Sequence, residues 1–556
     1  MVAQKEPTKQ EEDRATEIVR RYNKMKSDRG TLDMTLQEVS DRVLPRKAHI
    51  TIEPVRGEKR KVSPELINDT AVFANQDMAA GLFAHLCSGR WFGLKARDKR
   101  FNESDNTKQW FMEVTRILLE ELAISNFNNE INELLLDIGW CGTPDIGVFP
   151  GVETHLNFET YHISEYCIAQ NSRKRVDTDF RKFKYTARQA VQEWGIKNVG
   201  KDVQDAYNEP KKRDSEFEFI HAIFPREEYD DSYPAVKTRQ PIASVWVDIK
   251  AKKIVKEDGY YEMPKFSPRW IKRSGDLYGR SQGMFALPTI KLLNQMDGDV
   301  VKAGQLQVGK PILAPDDGFI GKVRIAPRSI LYYRKSLQGK DKPEVLDLGG
   351  RMDWAFTLLE KKETVVRKAF FNDLFVMLAE QTKTQTAYEI AERIEEKHSR
   401  IVAPIGRLQT ELFNGLIRRC VGILGRAGRL PPVPPELVGQ EYEIEYISKL
   451  ALALRIIEVQ ALVKGMDVVA PFAELKPDML DNYDTDKIAR GVPERLGWPV
   501  DWLRDVEERD EIREERAAIE QALQAAQLAT EAAKAAPGIS GKVEEGSVLA
   551  EMAGAV

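Results

Sequence analysis

The chain has 556 residues, enough for three or four structural units at roughly 100 to 200 residues each. Hydrophobic residues make up 42% and charged residues 31%, which excludes a chain disordered throughout. Lys+Arg 83 against Asp+Glu 87 leaves a net charge of -4, which excludes a protein that coats nucleic acid along its whole length but leaves room for a local basic patch.

The opening residues, MVAQKEPTKQEEDR, are charged and lack an apolar h-region, so no secretory signal is expected. No stretch approaches the roughly 18 apolar residues of a membrane span. Cys87, Cys141, Cys167 and Cys420 stand alone without a CxxC pair, against a disulfide scaffold or a cysteine-ligated metal site. A large soluble intracellular protein is expected. Residues 15 to 125 read as helical, with Ile18, Tyr22 and Met25 on one stripe and a second segment ending at Leu44-Pro45. Ser63-Pro64 reads as a helix start carrying Ile67, Ala71, Ala74, Met78 and Leu82 on one side. Thr107 opens another helix, whose buried stripe is Trp110, Val114, Ile117, Leu118 and Leu122.

From about Ile146 the period becomes that of strands. Val176, Thr178 and Phe180 alternate with charged residues, and Phe217 to Phe224, Ile242 to Ile249 and Lys253 to Tyr261 read as strands, with Asp258-Gly259 as a hairpin turn. An antiparallel sheet beside helices makes the N-terminal half α+β. Helix is predicted from about Pro288 to Val308, stopped by Pro311. A compact block follows, with strand-like pieces at Lys322–Ile325, Ile330–Tyr333 and Val345–Leu348. Helix returns from Asp353 through Leu378, a polar break EQTKTQT covers Glu380 to Thr386, and a further helix is kinked at Pro404 and Gly406 before running to Leu424. After the proline-rich RLPPVPPEL, Glu443 to Ile447 reads as a strand and Leu450 to Val463 as a helix. The last helix covers about Asp501 to Ala535, with Ile512, Ile519 and Ala526 at seven-residue spacing and a flexible tail after Pro537.

Charge is uneven. Between Arg269 and Lys340 thirteen basic residues face five acidic ones, a surplus of eight, so the remainder of the chain carries -12. The block is either a face that meets phosphate or an acidic partner, or a solvated surface rich in lysine.

No constellation carries bond chemistry. Gly304 to Lys310 satisfies GxxxxGK, but Pro311 stands where Ser or Thr should hold magnesium, and the match lies at the end of a helix rather than before one. His155 and His162 are the closest histidine pair, and Asp297 with Asp299 or Asp316 with Asp317 lack the further ligands of a cation site. Arg90-Trp91-Phe92 reads as a packing anchor. No catalytic residue, metal site or cofactor is expected.

The run INDTAVFANQDMAAGLFAHLCSGRWFGLKARD, Ile67 to Asp98, resembles the opening signature of the head-to-tail connecting, or portal, proteins of short-tailed phages. Trp110 to Val148, with Ser125-Asn126-Phe127 and the Gly142-Thr143 turn, resembles their next element. Tyr278-Gly279-Arg280-Ser281, Leu287-Pro288 and Ile290 to Asn294 resemble the start of their stem; Lys310-Pro311 with Leu313-Ala314-Pro315 resembles entry into their clip. Glu445 to Ser448 is similar to their approach to the crown, although Lys449 replaces an expected proline. The similarity spans about residues 15 to 500.

The resemblance implies an α+β, mainly helical portal fold assembled as a ring, usually of twelve subunits, at one capsid vertex. Residues 1–268 would form the wing, 269–308 the first stem helix, 309–352 the clip, and 353–379 the second stem helix. Residues 380–386 would be a tunnel loop and 387–429 a long kinked helix closing the wing; 430–500 would be the crown and 501–556 a C-terminal helical barrel and tail. Double-stranded DNA would pass without sequence preference along Thr382, Lys383, Thr384 and Gln385. Arg324, Arg328, Arg334 and Lys335 would dock the terminase large subunit and then the tail adaptor or tail proteins. Scaffolding and major capsid proteins are further implied partners, a membrane is not, and the place is the virion after assembly in the host cytoplasm. The layout agrees: head-to-tail contacts between copies close into rings, and about 25 helical residues from Asp353 span about 37 Å. The rivals are a packaging ATPase and a non-ring DNA-binding or adaptor protein.

Overall fold

The computed structural model describes residues 9–52, 66–98, 100–101, 104–227, 237–315, 326–333, 344–345, 353–379, 401–447, 482–496, 504 and 506–535, with single positions between 459 and 471. Two units result, Met1–Leu454 and Arg455–Val556. The described part is α+β. No described helix is long and apolar enough to cross a membrane.

The main core of the first unit is helical. Helices α2 (Gly30–Val43), α3 (Thr70–Leu86), α4 (Asp105–Ile124) and α5 (Phe127–Cys141) bury the stripes Leu36/Val39/Val43, Ala74/Met78/Leu82, Val114/Leu118/Leu122 and Ile131/Leu134/Leu135/Ile138 against one another. Helix α3 begins later than its sequence indicates. Ile67 is exposed and precedes the helix, Ser63-Pro64 falls outside the described residues, and Asn68 Oδ1 accepts from Thr70 N at the helix start. Trp91 is buried against Phe92, Phe127 and Phe413, the packing anchor that its sequence announced. Strand β1 (Phe92–Ala96) leaves that anchor and pairs antiparallel with a strand from the far end of the unit, Tyr442–Tyr446.

The strands β2 (Asp145–Pro150), β3 (Leu156–Tyr161), β4 (Tyr166–Gln170), β5 (Val176–Thr186), β6 (Glu216–Pro225), β7 (Ile242–Asp248), β8 (Lys253–Tyr260) and β9 (Lys265–Phe266) form two sheets. One is the antiparallel meander β4-β5-β6-β7-β8; the other has the order β3-β2-β9. The meander is covered on both faces. Helix α1 (Lys9–Asp28) lays Ile18 and Tyr22 among Phe180, Ile220 and Val245. On the other side α6 (Ala187–Trp194), held by a reciprocal Thr186–Gln189 capping box, and α7 (Lys201–Asn208) bury Trp194 and Val203 beside Phe219. Asp258-Gly259 is not the hairpin turn: both residues lie inside β8, opposite Ser244 and Ala243. The turn falls at 249–252, where Asp248 Oδ1 accepts from the N–H groups of Lys250 and Ala251 and Lys252 takes φ 50°.

The two sheets are joined by a buried ionic triad. Lys265 Nζ lies 2.5 Å from Asp179 Oδ1 and 3.3 Å from Asp145 Oδ2, and all three side chains are essentially inaccessible. Ser267 Oγ donates to Asp145 Oδ1. Burial pushes both carboxyls above the usual carboxylate range; for Asp179 the charge of Asp145 adds to it, and the Lys265 ammonium opposes it in both.

Helix α8 (Gln282–Val308) starts six residues before Pro288, capped by Ser281, whose Oγ accepts from Met284 N. Pro288 sits on the exposed side, where water can satisfy the carbonyl its missing N–H leaves free. Strands β10 (Ile312–Pro315), β11 (Ile330–Tyr333) and β12 (Glu344–Val345) follow, in the order β11-β10-β12. Lys322–Ile325 lies outside the described residues. The expected single helix from Asp353 is broken. Helix α9 (Asp353–Ala369) ends at Phe370-Phe371, Phe371 takes φ 61°, and α10 (Asn372–Ala379) continues. The 17 residues of α9 span about 25 Å, not the 37 Å of an unbroken rod. Fixing the break are Asn372, whose Nδ2 donates to Asp77 Oδ2, and the buried Phe370. The break EQTKTQT is outside the described residues. Helix α11 (residues 401–408) is continuous through Pro404 and Gly406, and a π-helical turn, Gln409–Phe413, follows before α12 (Asn414–Arg426). Tyr442–Tyr446 is the last strand, β13.

In the second unit, α13 (Thr485–Leu496) and α14 (Val506–Ala535) are tied by Asp486, which accepts from Arg513 at 2.7 Å and from Arg509 at 3.2 Å. Most of Leu450 to Val463 is outside the described residues.

Candidate functional site: the α8–α9 helix pair and its junction

Two motifs far apart in sequence meet at the root of α8. Gly142 ends α5 with φ 73°, and a Cβ there would lie 2.6 Å from the Arg280 carbonyl carbon. Gly279 is equally constrained: its Cβ would stand 2.6 Å from the Gly142 carbonyl oxygen. Three bonds lock the joint. Trp270 N donates to Gly142 O at 2.9 Å, Gly279 N to Thr143 Oγ1 at 2.7 Å, and Ser281 Oγ to Trp140 O at 2.7 Å. With its amide turned to suit its neighbours, Gln282 donates to Ala369 O and accepts from Trp270 Nε1, so the start of α8 holds the end of α9. The first residues of α8 are thereby fixed to the core.

Beyond the joint, α8 changes character. Ala286, Leu287, Ile290 and Leu293 are buried. At about 100° per residue, Val301 and Val308 continue that same side, yet both are exposed, Val308 at 90%. Phe285 and Leu292 are exposed on the opposite side. Helix α9, which packs along α8, leaves Trp354 exposed at 68%, with Phe356 and Val365. The helix pair thus leaves two separate apolar faces exposed, the kind of surface that marks a contact site.

At the far end of α8, Arg328 is exposed, takes φ 60°, and donates its N–H to Gly309 O at 2.9 Å. Arg328 is thus seated against the end of the helix. Arg324, Arg334 and Lys335, and the loop residues Thr382, Lys383, Thr384 and Gln385, lie outside the described residues. The Gly304–Lys310 match occupies the C-terminal end of α8, with Gly309 as its cap. Carbonyl oxygens point outward there, the wrong pole for phosphate.

The remaining candidates have separate partners. His155 Nδ1 lies 3.1 Å from Glu121 Oε2, whereas His162 contacts Lys47 O and Ser164 Oγ, each at 2.7 Å. Asp297 accepts from Asn68 Nδ2, and Asp299 pairs with Lys302 at 3.5 Å. Asp316 and Asp317 are outside the described residues. Among the described residues no His/Cys/Asp/Glu group could hold a metal ion.

Sequence reasoning missed two features. The π-helical turn at 409–413 aims Glu411 at Arg269, which binds it through Nη2 at 2.7 Å and Nε at 3.0 Å. The second is the cationic run Arg173-Lys174-Arg175 at the β4–β5 turn, visible in the sequence but outside the basic block of Arg269 to Lys340.

A fixed joint, a helix pair with two exposed apolar faces, and an exposed arginine held at its end make up the candidate site. The chain belongs to the bacteriophage head to tail connecting protein family, which matches residues 15–503, and it is a head-to-tail connector of the virion. A probable portal protein of Bordetella phage BPP-1 is 27% identical over 527 residues, 93% of this chain and 94% of that protein. The portal protein of Salmonella phage epsilon15 is 27% identical over 531 residues, 94% of this chain and 95% of its own. Among solved structures, a chain from the virion of a native gene transfer agent particle aligns over 83% of this chain and 99% of its own, at 12% identity and a TM-score of 0.34.

Proposed function

We propose that the chain is the portal subunit: twelve copies close into a ring at one capsid vertex, and double-stranded DNA enters and leaves through its bore. The observation that carries this reading is the pair of unlike apolar faces on α8, Phe285/Leu292 and Val301/Val308. In a head-to-tail ring each subunit offers one surface to one neighbour and a different surface to the other, which is what two faces on one helix supply. The matched portal proteins span nearly the whole chain and favour the same role.

Residues 1–268 form the wing, 269–308 and 353–379 the stem with its helical parts α8, α9 and α10, and 309–352 the clip. Residues 380–386 are the tunnel loop, 387–429 return to the wing, 430–500 form the crown, and 501–556 supply barrel helix and tail. The loop EQTKTQT has one acid, one base and five neutral polar groups. DNA carries one charge per about 1.7 Å, so a strongly cationic ring would hold it fast; Thr382, Lys383, Thr384 and Gln385 let it slide. Arg324, Arg328, Arg334 and Lys335 dock the terminase large subunit and then the tail adaptor, and scaffolding and capsid proteins meet the wing. The role is structural rather than enzymatic, and assembly takes place in the host cytoplasm.

Negative-stain microscopy of the purified protein, alone and with its shell proteins, tests the reading. An annulus with a central hole is expected. A monomer or compact dimer under both conditions overturns it.

A further inference from the structure

We infer that the β4–β5 hairpin and the two segments packed beside its base form a second polyanion-binding surface, one that takes the sugar–phosphate backbone of duplex DNA and is separate from the loop and clip. The choice of DNA rests on the portal reading above; the patch itself does not. The hairpin is rigid: Asn171 Oδ1 accepts from the N–H groups of Arg173 and Arg175, each at 3.0 Å, and Lys174 N donates to Asn171 O at 2.9 Å. Lys174 sits at the tip with φ 62°. The turn therefore holds Arg173, Lys174 and Arg175 out in water as a fixed unit, and all three are exposed without an ion-pair partner among the described residues.

Below it, Arg269 Nη2 donates to Lys174 O at 3.0 Å, and Arg269 Nη1 and Lys272 Nζ both reach Gln170 Oε1 at 3.2 Å. Arg269 pairs with Glu411, whereas Lys272 has no ion pair among the described residues. The Lys272 ammonium is held below its usual range by burial first and then by Arg269, with Lys174 and Arg407 adding to the effect against the opposing pull of Glu411. That coupling brings cations of three segments within electrostatic reach. Arg273 follows, exposed and also without an ion-pair partner among the described residues, and on α11 the buried Arg407 Nη1 has no hydrogen-bond partner among them.

Five cations, Arg173, Lys174, Arg175, Lys272 and Arg273, lie together with no ion pair among the described residues and repel one another unless an anion completes them. Three of the five are arginines, whose planar forks fit phosphate oxygens two at a time. The surface projects as a hairpin tip instead of opening as a groove. A convex cationic tip suits a rod with regularly spaced phosphates, whereas an acidic peptide needs a channel for its backbone.

The test measures binding of a short labelled duplex of arbitrary sequence to the full-length protein between about 50 and 200 mM salt. The double variant Arg173→Glu/Arg175→Glu is expected to bind at least tenfold more weakly and to flatten the slope of log affinity against log salt by about 2, near 0.9 per lost contact. Lys272→Ala/Arg273→Ala, on a different segment, is expected to act in the same direction. Unchanged affinity and slope in both variants overturn the inference, and if the rings still form the portal reading survives. Displacement of DNA by polyglutamate at a lower charge concentration also overturns it, in favour of an acidic protein partner. Should the wild type form no ring yet bind DNA through these residues, the portal reading fails and the patch stands.

Discussion

Replacing Lys265 by Met separates electrostatics from packing in the first unit. Lys265, Asp145 and Asp179 are inaccessible, and one ammonium serves two carboxyls at 2.5 and 3.3 Å. Without it both carboxyls must carry protons in the folded state, because an uncompensated buried charge costs several kcal/mol. Burial already pushes Asp179 toward the protonated form in the native protein, so the added burden falls mainly on Asp145. Protonating at pH 7 a carboxyl whose unfolded pKa is about 3.9 costs about 4 kcal/mol, and at pH 5 about 1.5 kcal/mol, at 1.36 kcal/mol per unit. Lys265→Met is therefore expected to lose about 4 kcal/mol at pH 7 and about 2.5 kcal/mol less than that at pH 5. Urea unfolding followed by tryptophan fluorescence at the two pH values measures the gap. The same loss at both values would refute the reasoning, since a purely steric defect does not titrate. Adding Asp145→Asn is expected to recover most of the loss at pH 7.

The native triad has its own pH dependence. The folded-state pKa of Asp179 is raised above its unfolded value, so its contribution is complete below about pH 4 and is lost as pH rises through about 7; Asp179→Asn is expected to flatten that decline in Tm between pH 5 and 8. Gly279→Ala drives a Cβ to 2.6 Å from the Gly142 carbonyl oxygen and is expected to cost about 1–3 kcal/mol, read as a lower urea midpoint. Leu292→Asp places a charge on an exposed face of α8, where it leaves the isolated fold intact; microscopy is expected to show loss of annular particles, and undiminished rings would remove that face from the interface. Thr382→Arg with Gln385→Arg is expected to slow or stall packaging, and unchanged packaged length and rate would count against the loop. Arg324→Glu with Arg328→Glu is expected to weaken terminase or adaptor binding without dissolving the ring, checked by co-sedimentation in moderate salt.

Long amphipathic stripes were legible because the 3.6 and 2.0 periods survive in the composition of each face. The helices carrying Val114 and Met78 and the strands carrying Phe180 and Val245 emerge as their patterns indicate. What failed was punctuation. Asp258-Gly259 has the chemistry of a turn, but the Asp248 side chain closes the hairpin ten residues earlier. Pro288 resembles a start, yet Ser281 already caps the helix. Nothing in Phe370-Phe371 signals a break, because the left-handed Phe371 is held by Asn372–Asp77 and the surrounding packing, not by its own preference. The junction was half visible: its motifs could be read singly, but the bonds that join Thr143 to Gly279 and Trp140 to Ser281 span 136 and 141 residues of sequence. The buried triad was invisible for the same reason, since Asp145, Asp179 and Lys265 share no local pattern.

The β1–β13 ladder carries a constraint on biosynthesis. Its partners Phe92 and Tyr446 lie far apart in the chain of the first unit, and a ribosome adding about 5 to 20 residues per second needs roughly 20 to 70 s to travel between them. Throughout that interval β1 waits without its mate, and the Trp91 anchor cannot receive Phe413. Until β13 emerges, β1 presents an unpaired edge, the kind of surface that templates pairing with another chain.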